Sequence, residues 1–350
     1  MKRKIVLQSA TALFLLLILA VSLFEHNSKK RYETEFIGLF DTFTKIVAYT
    51  NSKEEFAHLS ETIYEMLSEY HKLYDIYNDY DGINNIKTIN DNAGIAPIKV
   101  NKEIVDLILF SKEQHMKTDG YVNIAFGSVL NIWHNYRTNG LSNPKNAQLP
   151  PIDLLKTAAL HAEIDNVIVD EKESTVYLTD SKMSLDVGAV AKGYAAEQAA
   201  KMAKEHGFAS VLISIGGNIR TVGERAKKTP WLVGVESPIK ENEGVFLQEV
   251  LLSDFSLVTS GGYNRYYTAD DKRYHHIINP ETLYPSNYYL SVTILCKDSG
   301  VADALSTAVF NMPFNEGFEF IDKMPDTEGL WVLNTGEVKY SKNFNHFLSK

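Results

Sequence analysis

The stretch Leu185–Gly193, L-D-V-G-A-V-A-K-G, constrains this chain more than any other. It joins a strand-like run, V-Y-L-T-D-S-K-M-S-L-D, ending on Asp186, to an Ala-rich helical pattern from about Val190 to His206, closed by Gly207. A small-residue turn entering a helix leaves backbone N–H groups unpaired and sets the positive helix end beside whatever docks there. Asp186 and Lys192 add a carboxylate and an ammonium at the same corner. Such a corner suits a phosphate–metal ligand. Taken alone it is equally a common strand–glycine–helix junction, with Asp186 a cap and Lys192 a solvated charge.

At 350 residues the chain has ample material for a buried core, as one large domain or two modest ones. A net charge of −9, with no long basic stripe, argues against a general nucleic-acid binder and leaves room for one local anion site. Lys2, Arg3 and Lys4 precede the apolar run Ile5–Phe24, the pattern of an export signal. The run also approaches the ~20 residues that span a bilayer, so an uncleaved anchor fits as well. Ala20 and Ser22 would permit cleavage. Residues 1–30 are therefore set aside as signal or anchor, and residues 31–350 are expected to lie outside the cytoplasmic membrane. The one cysteine, Cys296, has no partner in the chain for a disulfide and reads as core filler.

Along the body, Phe36–Tyr49 alternates as a strand, and a helix is expected from about Glu54 to Tyr74 on the spacing of Phe56, Leu59, Ile63, Met66, Leu67 and Tyr70. A Tyr-, Asn- and Asp-rich loop follows, then a second helix over about Asn101–Thr118. Ile152–Leu160 reads as a short helix and Ile164–Leu178 as a hairpin. Beyond the central helix strands dominate: V-L-I-S-I-G-G-N-I-R-T-V-G, W-L-V-G-V-E-S-P, S-L-V-T-S-G-G-Y-N-R-Y-Y, R-Y-H-H-I-I-N-P and S-V-T-I-L-C-K-D. A helix over about Gly300–Asn311 and a closing strand pair complete the pattern. Strands and helices mix without strict alternation, so the fold class is α+β: a single mixed α/β domain behind an N-terminal hydrophobic helix.

Asp303 and Thr307 stand four residues apart on the helix A-D-A-L-S-T-A-V-F, hence on one face. Two hard oxygens there suit Mg2+, with water and phosphate as its other ligands. The plainer alternative is a helix-start Asp favoured by the dipole and a Thr bonded back into its own helix. T-S-G-G (Thr259–Gly262) and Gly216–Gly217–Asn218 offer places for close backbone approach to a ligand. Adjacent His275 and His276 on a strand point to opposite faces, a poor zinc signal. Neither G-x-S-x-G nor a P-loop motif is present.

Taken in order, L-D-V-G-A-V-A-K-G-Y-A-A-E, I-S-I-G-G-N-I-R, V-T-S-G-G-Y-N-R-Y-Y, R-Y-H-H-I-I-N-P and V-A-D-A-L-S-T-A resemble the FAD:protein FMN transferases, the ApbE family, over roughly residues 36–345. The resemblance implies an α+β fold outside the cytoplasmic membrane. It implies a Mg2+-dependent reaction in which FAD is the substrate, AMP leaves, and FMN is esterified to a threonine or serine of an acceptor redox protein associated with the membrane. It further implies Asp303, Thr307 and the Ala189 carbonyl as metal ligands. Asp186 and Lys192 become FAD contacts, and Asp303, Lys192 and His276 become catalytic groups. Phe40 in F-D-T stands where the family often has Met, and Ile277 lies in the His276 motif. Tyr77 resembles the family's flavin-stacking tyrosine, with Tyr80 as the alternative. Tyr121 and Asn123 fall in a segment that usually ends in Asp, and with Phe40 and Ile277 they are further FAD contacts that the resemblance implies. Two other readings share these residues: an FAD pyrophosphatase yielding FMN and AMP, and a non-catalytic flavin binder.

Overall fold

The computed structural model describes residues 29–226, 228–239 and 244–349. The expected signal or anchor falls almost wholly outside them. The described chain starts with the hairpin β1 (Lys30–Ile37) and β2 (Phe43–Thr50), then the long helix α1 (Lys53–Leu73). Next come α2 (Ile86–Asp91), β3 (Ile98–Lys99), α3 (Lys102–Lys117), α4 (Gly127–Ser142), α5 (Ile152–Ala159) and the hairpin β4 (Val167–Asp170) with β5 (Thr175–Leu178). The central helix α6 (Ala191–Glu205) leads into β6 (Ser210–Ile215), β7 (Asn218–Gly223), β8 (Trp231–Glu236), β9 (Phe246–Leu252) and β10 (Ser256–Gly261). A small hairpin, β11 (Tyr266–Ala269) and β12 (Lys272–His275), precedes β13 (Tyr289–Cys296), α7 (Ser299–Phe310), α8 (Phe314–Asp322), β14 (Glu328–Leu333) and β15 (Val338–Tyr340). Among the described residues no helix is long and apolar enough to cross a membrane.

Eight strands form one antiparallel sheet in the order β1-β2-β6-β7-β10-β13-β14-β15. Side-chain alternation decides what covers each face. Ile46 and Ile213 turn toward α1 and α6, where Phe56, Leu59, Ile63 and Leu67 meet Ala195, Ala196, Ala199, Ala200 and Ala203. Val47, Leu257, Leu295 and Leu330 turn the other way, onto the β8–β9 hairpin with Trp231, Val233, Val250 and Leu252. Burying each such aliphatic side chain is worth about 1.5–3 kcal/mol. The α+β class expected from the sequence is what the chain adopts.

Several local expectations need correction. Phe36–Tyr49 is two strands, because Gly38 (φ 107°), Phe40 (φ 52°) and Asp41 (φ 51°) reverse the chain between β1 and β2. The Asn-rich loop contains α2, started by a capping box between Asn85 and Thr88. The strand leading to Asp186 ends at Leu178, and Asp186 sits in irregular chain held by its N–H to the Ile124 carbonyl at 2.8 Å. The S-L-V-T-S-G-G-Y-N-R-Y-Y strand breaks after Gly261, and R-Y-H-H-I-I-N-P stops at His275. Helix α4, strand β9 and helix α8 are not among the elements expected from the sequence.

The five buried alanines let α6 lie close to its neighbours, and Gly193 brings it closer still to α7. A Cβ at Gly193 would stand 2.2 Å from the Ser299 carbonyl oxygen and 2.5 Å from Asp303 Cβ. Backbone cannot yield as a flexible side chain does, so Gly193→Ala forces the helices apart. The expected loss is about 1–3 kcal/mol, readable as a lower denaturant midpoint at an unchanged slope.

Candidate active site

No side chain caps the start of α6: Val190 occupies the N-cap position with φ −136°. The role is taken from across the fold. Asp303, one and a half turns into α7 and 5 % exposed, accepts the Gly193 N–H on Oδ2 at 2.8 Å. The carboxylate thus faces the positive end of a helix. Asp303 is no helix-start residue, since Asp298 caps α7 through the Val301 N–H.

This bond has a consequence at Ala189. In an unbroken helix the Gly193 N–H would go to the Ala189 carbonyl four residues back. Diverted to Asp303, it leaves that carbonyl without a hydrogen bond among the described residues. One turn beyond Asp303, Thr307 does not bond back into its own helix. Ser306 takes the Asp303 carbonyl at 2.9 Å, and the Thr307 hydroxyl meets only Ser260 Oγ at 3.4 Å. Three oxygen donors are therefore uncommitted: the Ala189 carbonyl, the second Asp303 carboxylate oxygen and the Thr307 hydroxyl. One carboxylate with two neutral oxygens fits a Mg2+ that keeps water and phosphate ligands. Among the described residues there is no group of three His, Cys, Asp or Glu side chains arranged for a transition metal.

Charges around this corner are poorly balanced within the chain. Burial pushes the Asp303 carboxyl above its ordinary range, against the pull of Lys192, the Gly193 N–H and Asn218. Asn218, at the head of β7, is buried and its Nδ2 lacks a well-formed hydrogen bond among the described residues. Asp186 is likewise pushed up by burial, opposed by the Gly188 N–H at 2.8 Å and by His134, Lys192 and Arg137. The Gly188 bond is a local turn bond ahead of α6 and not the helix cap of the plainer reading. Lys192 is half-buried and acts on both carboxylates, so it is not the solvated charge of the plainer reading.

An aromatic and cationic wall faces Asp186. Tyr77 is 52 % exposed, its hydroxyl 3.3 Å from His134 Nδ1 and its ring 5.2 Å from the imidazole. Tyr80 is tied instead to Asp75 Oδ2 at 2.8 Å, and Asp75 also accepts the Tyr77 N–H at 2.7 Å. Arg137, one turn along α4, donates to His134 Nδ1 at 3.2 Å, so that nitrogen carries no proton and His134 is neutral. Burial lowers the His134 and Arg137 pKa values, with Arg137 also opposed by Arg265. Among the described residues Arg137, Lys192 and Arg265 form no ion pair within 4 Å. His134, Arg137 and Arg265 were not singled out from the sequence. Their only signals were the three-residue spacing on a helix and the Arg in Y-N-R.

His276 turns its Nδ1 to the Arg265 carbonyl at 3.2 Å, so Nδ1 holds the proton and Nε2 is an acceptor. Burial pushes its pKa down to about 3, leaving it neutral at physiological pH. It therefore offers a lone pair rather than a positive charge. His275 points elsewhere, to the Ser286 carbonyl at 2.7 Å and against Phe310. Phe40 sits by His71, which accepts its N–H at 3.2 Å. Ile277 is buried in the core, its N–H on His275 Nδ1 at 3.2 Å. Tyr121 and Asn123 have other partners. The Tyr121 hydroxyl reaches Glu316 and Glu281 at 3.2 and 3.4 Å, and the Asn123 amide spans the Ala162 carbonyl and the Ala125 N–H.

The raised Asp303 and Asp186 pKa values fix a sign. A carboxyl whose pKa is higher folded than unfolded supports the fold while protonated and withdraws that support as pH rises through the folded value. Metal-free protein is thus expected to lose stability as pH rises from the ordinary carboxyl range through the raised folded values of these two groups. Asp303→Asn keeps an acceptor for the Gly193 N–H without the charge. It should melt higher than the parent in chelator at neutral pH and gain nothing from Mg2+, whereas the parent gains with Mg2+ by thermal melting.

The ApbE family model matches residues 40–331. A Treponema pallidum protein named FAD:protein FMN transferase is 31 % identical over 273 residues, 73 % of this chain and 72 % of its own length. One from Klebsiella pneumoniae with the same name is 29 % identical over 281 residues, 80 % and 84 % of the two chains. The crystal structure of the ApbE protein from Thermotoga maritima superposes with a TM-score of 0.80 at 28 % identity, covering 92 % of this chain and all of that one. The flavin transferase ApbE from Vibrio cholerae, at 20 % identity and a TM-score of 0.74, shares the fold. With the family model spanning most of its length and the fold matching over 92 % of it, this chain belongs to the ApbE family.

Proposed function

We propose that this chain transfers FMN from FAD to a threonine or serine hydroxyl of an acceptor protein, with Mg2+ and with release of AMP. The carrying observation is the diversion of the Gly193 N–H to Asp303, which leaves three oxygen donors uncommitted beside an excess of positive charge. The relatives named FAD:protein FMN transferase support the substrate and the direction of transfer.

The reaction breaks the bond from the FMN phosphorus to the bridging oxygen, which leaves with AMP, and forms one from that phosphorus to the acceptor oxygen. Phosphoryl transfer asks a protein for positioning and charge neutralisation more than for covalent chemistry. Bound Mg2+ would supply Lewis-acid neutralisation of the pyrophosphate charge. Ala189, Asp303 and Thr307 are the residues to hold it. Lys192 acts on both Asp186 and Asp303, so a non-bridging oxygen near them would find an ammonium. Arg137 and Arg265 meet the remaining pyrophosphate charge, and exposed Tyr77 offers the face for the isoalloxazine ring. The acceptor hydroxyl must lose a proton. Asp303, acting through the metal shell, is the first choice to help remove it.

The N-terminal apolar run, as signal or anchor, would place this chemistry on the outer face of the cell membrane. The acceptor there would be a membrane-associated redox protein.

The decisive experiment incubates the protein with FAD, Mg2+ and a candidate acceptor domain. Intact-mass analysis of the acceptor and chromatography of nucleotides are then run together. A hydroxyl-linked FMN adduct with stoichiometric AMP establishes the transferase. Free FMN plus AMP with unmodified acceptor reassigns the chain as a pyrophosphatase, and unchanged FAD reduces it to a binder. Arg137→Gln should weaken FAD binding by about tenfold or more, the scale of a charge-assisted hydrogen bond. Riboflavin, which lacks the phosphates, should bind as before in fluorescence titration.

A further inference from the structure

Three hydroxyls behind the Asp303–Thr307 face form a chain whose direction the structure fixes. Ser306 Oγ lies 2.9 Å from the Asp303 carbonyl oxygen, which can only accept, so Ser306 uses its single proton there. Ser260 Oγ, near the end of β10, lies 2.8 Å from Ser306 Oγ and must donate to it, since Ser306 has no second proton. Ser260 is then left with lone pairs only. Its other neighbour, Thr307 Oγ1 at 3.4 Å, must be the donor to it. The Thr307 proton is thereby drawn back toward the sheet, and its oxygen lone pairs are left for whatever binds at the face. The chain runs from Thr307 through Ser260 and Ser306 to the backbone of Asp303, so it also ties the two ligand residues together.

We propose that Ser260, acting through Ser306, is a positioning residue that holds the Thr307 hydroxyl as an acceptor toward the metal. The proposal rests on the reading of Asp303 and Thr307 as Mg2+ ligands. A cation needs an oxygen lone pair, and a hydroxyl free to rotate presents its proton part of the time. Partners behind a ligand are typically worth 10–100-fold in metal affinity. Ser306 is fully buried and has no hydrogen bond to Thr307, so a dependence of metal binding on it would have no other simple source.

The test uses the full chain without FAD and Mn2+ as the probe, with free Mn2+ read by electron paramagnetic resonance. Ser260→Ala is expected to weaken Mn2+ at least tenfold, and Ser260→Thr, which keeps a hydroxyl, to restore it. Ser306→Ala removes the acceptor for the Ser260 proton, which then turns toward Thr307 and reverses the chain; a comparable loss is expected. The two alanine changes combined should be no worse than the worse single one, because they break one chain. Thr293→Val removes an equally buried hydroxyl, bonded to Thr259 at 2.9 Å outside the chain, and should leave Mn2+ affinity unchanged. Parental affinity in Ser260→Ala overturns the proposal, as does loss in Ser260→Ala with none in Ser306→Ala, or equal loss in Thr293→Val. Thr307→Ala separates the levels. If it binds Mn2+ like the parent, the ligand reading fails and the relay with it; if it binds weakly while Ser260→Ala does not, the relay alone fails.

Discussion

The hydrogen bond from the Gly193 N–H to Asp303 organises this molecule. It joins the start of one central helix to the middle of the other, frees the Ala189 carbonyl and points a buried carboxylate at a helix N-terminus. It exists only because the residue at 193 has no side chain, so that α6 can rest on the Ser299 backbone. A second buried clamp keeps the helices in that relation. Glu197, one turn along α6, accepts the Ser299 N–H at the start of α7 at 3.0 Å and pairs with Arg220 of β7 at 2.6 Å. Losing Glu197 would leave Arg220 buried without its counter-charge, a penalty on the order of 3–5 kcal/mol. One carboxylate therefore sets the helix pair on the sheet, and the other faces the site.

The electrostatics follow from gathering unlike charges around buried Asp303 and part-buried Asp186 without pairing them. Asp186 and Asp303 both resist ionisation where they stand, yet Lys192, Arg137 and Arg265 approach without closing an ion pair. In a corner built only for stability such groups would be neutralised against one another, because unpaired buried charge is costly. Here the single ammonium of Lys192 is shared by both carboxylates, and Arg137 and Arg265 have no carboxylate within ion-pair distance among the described residues. The proposed metal-bound pyrophosphate would bring a cation to the carboxylates and an anion to the arginines.

Features encoded within one element were legible in the sequence. The Asp303–Thr307 spacing is a property of any helix, and so is the Phe56, Leu59, Ile63 and Leu67 stripe of α1. The α+β class followed from strands and helices with ordinary local signatures. What escaped depends on distant pairing or on unadvertised backbone. The Gly193–Asp303 contact spans 110 positions, and no local pattern announces it. His134 and Arg137 are unremarkable helix residues until their hydrogen bonds meet Tyr77. The break between β1 and β2 rests on left-handed Phe40 and Asp41, residue types that give no warning of positive φ. His276 could be narrowed to one of two adjacent histidines by strand alternation, but its neutral state comes from burial that only the fold creates.

The two ends of the site are built differently, and the difference matches what each must do. Around Asp303 the donors come from α7 and from the turn that opens α6, with hydroxyls chained to a backbone carbonyl, so oxygen atoms are held in place before anything binds. Such preorganisation is what charge stabilisation in a transition state requires. Tyr77 stands instead on a loop, half in solvent, its backbone fixed by Asp75 while its ring leans on one imidazole. A ring that stacks on a flat ligand needs to be in the right region rather than at one exact position. In the proposed reaction the phosphate would have no such latitude, in keeping with two packed helices at that end and a tethered loop at the other.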